Sequence, residues 1–220
     1  LKLKKPKNLK FKLESKILKN RANSNINSNS KSSAENSLES LRPGDFIEII
    51  APGSSTSTEN LEKGIKILES WGYRVICDKN LLKPDLFLSN TDNNRFTSFQ
   101  KAMTNKKSKA VWCLRGGYGS IRLLPQIEKM RSINKNKILI GLSDISSLHT
   151  ILNQKWKMPT LHASLLDRLA VDKLSAENIK ELRQVLENPE YVTVFRKLKP
   201  INPAAQKLKT IKSQVIGGNL

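Results

Sequence analysis

The chain has 220 residues, 39 Lys and Arg against 19 Asp and Glu, and a formal net charge of +20, with 38% hydrophobic residues. Nine Lys and one Arg against three Glu fall within residues 1–40, and the remaining positive charge is spread over the other residues; a spread charge gives solubility and weak anion attraction and does not by itself specify nucleic-acid binding. No apolar run reaches about 18 residues, so no transmembrane helix is expected, and the basic start lacks the apolar stretch of a secretory signal.

In chain order, residues 1–40 read as a disordered basic extension, with a Ser- and Asn-rich linker at 22–38. A transit peptide or a surface-binding arm is the other reading. The first residue is Leu, which reads as a fragment boundary or an unusual start. The β-branched run 45–51 predicts a buried strand. The polar loop P-G-S-S-T-S-T follows, and Thr56 with Glu59 fits a capping box for the next helix. Leu61, Ile65, Leu68 and Trp71 recur there at helical spacing, and Gly72 closes it. A strand at 73–78 holds Cys77. A helix over 91–103 puts Phe96, Phe99 and Met103 on one face. A third strand, 109–114, holds Cys113 and leads into R-G-G-Y-G-S. Two such thiols in apolar stretches point to a reducing compartment.

Residues 121–130 then read as a helix, with Pro125 in its first turn or kinking it. A strand at 137–142, a helix at 144–156 and a short strand at 158–163 follow. This alternation predicts an α/β fold: a parallel sheet flanked by helices on both faces, a flavodoxin/Rossmann-like three-layer domain over 41–170. Residues 171–210 read as an amphipathic helix and an extended, Pro-containing linker. Residues 211–220 read as a strand and turn that start a truncated second domain. Functional loops of such a sheet lie at the carboxyl ends of its strands, which singles out A-P-G-S-S, R-G-G-Y-G-S and L-S-D-I-S.

The R-G-G-Y-G-S turn carries the strongest chemical signal. A buried strand, a glycine-rich turn, a serine and a helix resemble a nucleophile elbow, in which backbone N–H groups hold an oxyanion. Residues 118–122 read Y-G-S-I-R, an imperfect match to G-x-S-x-G. On spacing alone, Ser120 suits a helix N-cap better than a nucleophile, and Gly116 and Gly117 equally suit a phosphate-binding turn. Asp144 could orient ligand or neighbours, or cap a helix. Arg115 and Arg122 flank the turn; either could bind a carboxylate or simply form an ion pair. His149 lies in an apolar-periodic helix and reads as structural. His162 follows a strand at a plausible rim, where it could contact ligand or be structural. No zinc spacing, Walker motif or dinucleotide fingerprint occurs, so no metal or cofactor is expected.

R-G-G-Y-G-S followed by R-L-L-P resembles the muramoyltetrapeptide LD-carboxypeptidase family of serine peptidases, related members of which deactivate the antibiotic microcin C. Further pieces match in order: L-R-P-G-D, A-P-G-S-S, L-E-S-W-G-Y, T-D-N-N-R, I-L-I-G-L-S-D-I-S-S-L-H, T-L-H-A-S and V-I-G-G-N-L, together covering roughly residues 41–220. The resemblance implies that Ser120 is the nucleophile, that the backbone at Gly116 and Gly117 supplies an oxyanion donor, and that Arg115, Asp144 and His162 are possible substrate-binding residues. The family's Ser–Glu–His triad takes Glu and His from a C-terminal domain after G-G-N-L. Neither histidine here matches, so the chain reads as an N-terminal fragment, inactive alone.

The implied enzyme is cytoplasmic, acts on a muropeptide-like peptide in peptidoglycan recycling and is a homodimer when full length, with no nucleic-acid or membrane partner. A truncated relic or a peptide-binding pseudoenzyme is one alternative, and a microcin-type antibiotic-deactivating hydrolase another. A basic nucleic-acid-binding protein is a third reading, resting on a pI near 10.1. It predicts binding that falls steeply with salt and vanishes on removal of residues 1–40.

Overall fold

The computed structural model describes residues 40–188, 190–194 and 199–207. All but the last residue of the basic extension, and the strand and turn read at 211–220, lie outside the described residues. Five strands form the sheet: β1 (Phe46–Ile50), β2 (Arg74–Cys77), β3 (Ser108–Cys113), β4 (Ile138–Gly141) and β5 (Leu161–His162). Every pairing is parallel, and the spatial order is β2-β1-β3-β4-β5. The order reverses at β1, so the crevice between the carboxyl ends of β1 and β3 is the topological switch point, where such sheets bind ligands.

The helices fall on the two faces as crossover handedness requires. β2 and β3 flank β1 on opposite sides, so crossovers of the same hand must pass over opposite faces. Accordingly α1 (Thr58–Ser70) packs Leu61 and Leu68 on one face with Ile47, Ile49, Ala110, Trp112 and Ile140. On the other face, α2 (Asp92–Thr104) packs Phe99, Ala102 and Met103 with Ile50, Val111, Cys113 and Leu139. α3 (Leu124–Glu128) and α4 (Ser146–Trp156) join α2 there through Ile127, Leu148, Leu152 and Trp156. β3 and β4 are apolar at consecutive positions because both of their faces are covered.

Beyond β5, α5 (Leu166–Ala170) and α6 (Ala176–Glu187) close the α1 face through Leu166, Leu169, Leu182 and Leu186. The helix read within 171–210 is therefore part of the core layer. A further short helix, α7 (Pro203–Lys207), forms in the stretch read as extended and buries nothing.

Three local expectations are corrected. The cap of α1 is Ser57, whose hydroxyl accepts from the Asn60 N–H; Thr56 instead accepts from the Asn60 side-chain amide. The helix read at 121–130 is split into a 3-10 turn, Ser120–Leu123, and α3, with Pro125 in the first turn of α3 where no N–H is needed. β5 pairs over two residues only.

Candidate active site

The three loops singled out by the sequence converge at the switch point. The loop after β1 lies against the loop after β3: the Ser54 N–H donates to the Gly116 carbonyl at 2.8 Å, and the Tyr118 N–H donates to Ser54 Oγ at 3.1 Å. A side chain at Gly53 would strike the Gly116 carbonyl and come within 2.9 Å of Asp144 Oδ2, so glycine there lets the three loops close. Gly117 holds φ +85° and its α-carbon faces the Ser54 side chain, a second position where a β-carbon has no room.

Ser120 opens the 3-10 turn and is completely buried. Its Oγ lies 2.5 Å from the Asp144 carbonyl oxygen and 2.7 Å from Ser147 Oγ, and its N–H donates to Asp144 Oδ2 at 2.9 Å. Ser120 is not an N-cap. Gly119 takes that position, and the Ser120 hydroxyl bonds outward to the loop after β4 instead of back to its own turn. Asp144 is not a cap either; its carboxylate reaches across to the turn that carries Ser120. The non-glycine Ser143 immediately before it sits at φ +64°, an uncommon conformation. The elements after Ser120 are only four and five residues long. Little macrodipole is therefore available there, and an anion placed at this turn would meet individual N–H groups. Among the described residues the amides of Gly116 and Gly117 take no protein acceptor, whereas those of Tyr118 and Ser120 do.

Arg115 directs Nη1 to Asp167 Oδ2 at 3.2 Å and stays half-exposed, while Asp167 is buried at the start of α5. Among the described residues the other carboxylate oxygen of Asp167 has no partner, and burial pushes its carboxyl upward against the attraction of Arg115 and Arg168. Arg122 follows the plainer reading: it forms an ion pair with Asp92 at 2.8 Å. His149 is buried, with Nε2 3.0 Å from the Gly141 carbonyl and Nδ1 without a partner among the described residues. Burial lowers its pKa, and His162 adds to the effect. His162 stands exposed at the end of β5, its ring centroid 5.7 Å from that of His149. No bond from either histidine to Ser120 is present among the described residues.

The sequence reading missed Arg95. It lies on α2 and is 2% exposed, with Nε on the Asn90 carbonyl at 3.1 Å, Nη1 on the Gly119 carbonyl at 2.9 Å and on the Pro52 carbonyl, and Nη2 on Asp92 at 2.5 Å. The available signal was an arginine four residues before Phe99 on the helix's apolar face, a place where a charge is kept only if it is bonded.

Residues 47–163 match the LD-carboxypeptidase N-terminal domain. Over 134 residues the chain is 36% identical to a putative carboxypeptidase of Rickettsia prowazekii, covering 61% of this chain and 42% of that protein. Over 177 residues it is 28% identical to a murein tetrapeptide carboxypeptidase of Pseudomonas aeruginosa, covering 79% and 57%. The fold is shared with an MccF-like protein of Bacillus anthracis at a TM-score of 0.59 and 24% identity, over 68% of this chain and 46% of that one. The chain thus spans about half the length of these proteins. A parallel sheet in this order, carrying the R-G-G-Y-G-S turn at its switch point within the matched residues, makes the chain a member of the LD-carboxypeptidase family, a family of serine-type carboxypeptidases.

Proposed function

We propose that this domain carries the nucleophile of a carboxypeptidase that hydrolyses an L–D peptide bond near the free carboxyl end of a muropeptide, in cytoplasmic peptidoglycan recycling. The observation that carries the proposal is the placement of Ser120: on the glycine-rich turn after β3, at the switch point, with three loops packed around it. The name of the Pseudomonas relative supports the substrate class.

In the proposed reaction Ser120 Oγ leaves the Asp144 carbonyl and attacks the scissile carbonyl carbon as its proton passes to a general base. The oxyanion is held by the Gly116 and Gly117 amides. The C–N bond breaks, the leaving amine takes a proton, and water then hydrolyses the ester on Ser120. Arg115, oriented by Asp167, binds the terminal carboxylate of the substrate. His162 and Asp144 border the same crevice, the first toward ligand and the second toward the nucleophile. The base comes from the part of the family outside the matched residues. The protein works as a homodimer, which light scattering of the purified protein would check. Among the described residues no helix is long and apolar enough to cross a membrane.

Expressed from its own gene, the protein should release D-alanine from a murein tetrapeptide, and Ser120→Ala should lower the rate by a factor on the order of 10³ or more. The 220 residues alone should show no turnover. A Ser120→Ala protein with undiminished D-alanine release would overturn the assignment.

A further inference from the structure

We infer that Arg95 and Asp144 together clamp the single peptide group joining Gly119 to Ser120, and that this clamp sets the direction in which Ser120 presents its hydroxyl. The Gly119 carbonyl and the Ser120 N–H belong to one planar unit. The carbonyl end accepts from the Arg95 guanidinium at 2.9 Å, and the N–H end donates to the Asp144 carboxylate at 2.9 Å. Opposite formal charges therefore sit at the two ends of one amide dipole, each aligned to strengthen it. Charge-assisted bonds are stronger than neutral ones, and bonds in series polarise one another.

Arg95 has no need to be an arginine for the sake of α2. It lies on the buried face with Phe99 and Ala102, where an apolar side chain would pack without the cost of burying a charge. Its donors go instead to the backbone of three separate segments, at Pro52, Asn90 and Gly119. Asp92 neutralises it and is itself tied to Arg122, so the guanidinium is fixed from behind. On the opposite side, Ser143, immediately before Asp144, sits at φ +64°. Gly119, at φ +123°, admits Arg95 against its carbonyl because it has no side chain.

With the plane of the amide held at both ends, the Cα–Cβ direction of Ser120 is held too. The clamp also occupies the Ser120 N–H, which leaves the oxyanion to the amides of Gly116 and Gly117. Arg95 and Asp144 are positioning residues in this scheme. Their catalytic meaning rests on Ser120 being the nucleophile, whereas the clamp itself does not.

The test is amide exchange and NMR on the ¹⁵N-labelled protein. Asp144→Asn keeps the shape and removes the charge. The Ser120 amide should then exchange about tenfold faster or more, and its proton should move upfield, while the amides of Phe99 and Leu139 stay protected. Arg95→Lys keeps the charge and loses the fork; it should weaken the same amide, and the effect of Asp144→Asn should be smaller in that background. A folded Asp144→Asn protein with an unchanged Ser120 amide overturns the clamp, as do strictly additive effects of the two changes. If Arg95→Lys fails to fold, Asp144→Asn decides alone. In the protein expressed from its own gene, Asp144→Asn should lower kcat with KM changed less than about twofold; an unchanged kcat overturns the positioning role. Persistence of activity in Ser120→Ala would remove the nucleophile and leave the clamp to stand or fall on exchange.

Discussion

Gly119 shows how much of the site depends on a side chain that is not there. Its φ of +123° lies where residues with a β-carbon are strained, and a β-carbon would come 2.6 Å from Leu88 Cδ2 and 2.9 Å from Arg95 Nη1. Leu88 belongs to the core and could shift, but Arg95 is held by four acceptors and has no second place to go. Gly119→Ala should therefore cost about 2 kcal/mol or more of stability, read as a lower urea midpoint at unchanged slope. A change of under about 0.5 kcal/mol would mean that the turn is looser than its packing implies. Ser120 was legible as a candidate because glycines precede it, but its actual bonds were not. The local pattern suits an N-cap or a nucleophile, and only the bonds to Asp144, 24 residues away, set the cap aside. Arg95 escaped for the same reason: its backbone acceptors lie 5, 24 and 43 residues away in sequence.

At the scale of elements, the strands were readable because burial on both faces makes β3 and β4 continuous apolar runs, and α1 and α2 were readable from helical spacing. Ends and short pieces were not. The cap of α1 fell one residue from Thr56, at Ser57, since both hydroxyls suit the role and only geometry chooses. Whether α6 belonged to the domain or to a linker could not be read from its amphipathic pattern, which fits either. The structure ties it in: the Leu41 N–H donates to the Leu186 carbonyl at 2.8 Å, Tyr73 bonds Glu187, and Arg183 lies over the Trp71 ring. Leu182 and Leu186 enter the same core as Leu68 and Leu166. Leu186→Ala should then destabilise the whole sheet domain by about 2–3 kcal/mol, lowering the midpoint seen by tryptophan fluorescence and by far-UV circular dichroism together. If helix signal were lost first, with the tryptophan transition unmoved, α6 would be an appendage rather than a layer.

At the scale of the whole molecule, stability must respond to pH through the few ionisable groups that folding buries. His149 acts in the range just below neutrality. Burial, aided by His162, lowers its folded pKa below 6.5, while the bond to the Gly141 carbonyl opposes this only in part. The unfolded chain therefore binds the proton first as pH falls through about 6.5, and stability falls with it, by at most about 1.4 kcal/mol per pH unit. Asp167 works in the opposite sense. Its carboxyl is pushed up by burial, so the folded state gains relative stability on acidification, in a range that begins only as the folded carboxyl titrates. Self-repulsion of the basic chain adds a background slope that is common to all variants. The difference between proteins isolates His149. In His149→Gln, which removes the titrating ring, urea midpoints at pH 7.5 and 5.5 should lie closer together than in the parent. Equal spacing of the midpoints in the two proteins would mean that the acid sensitivity arises elsewhere, and His149 would be no more than a packed ring.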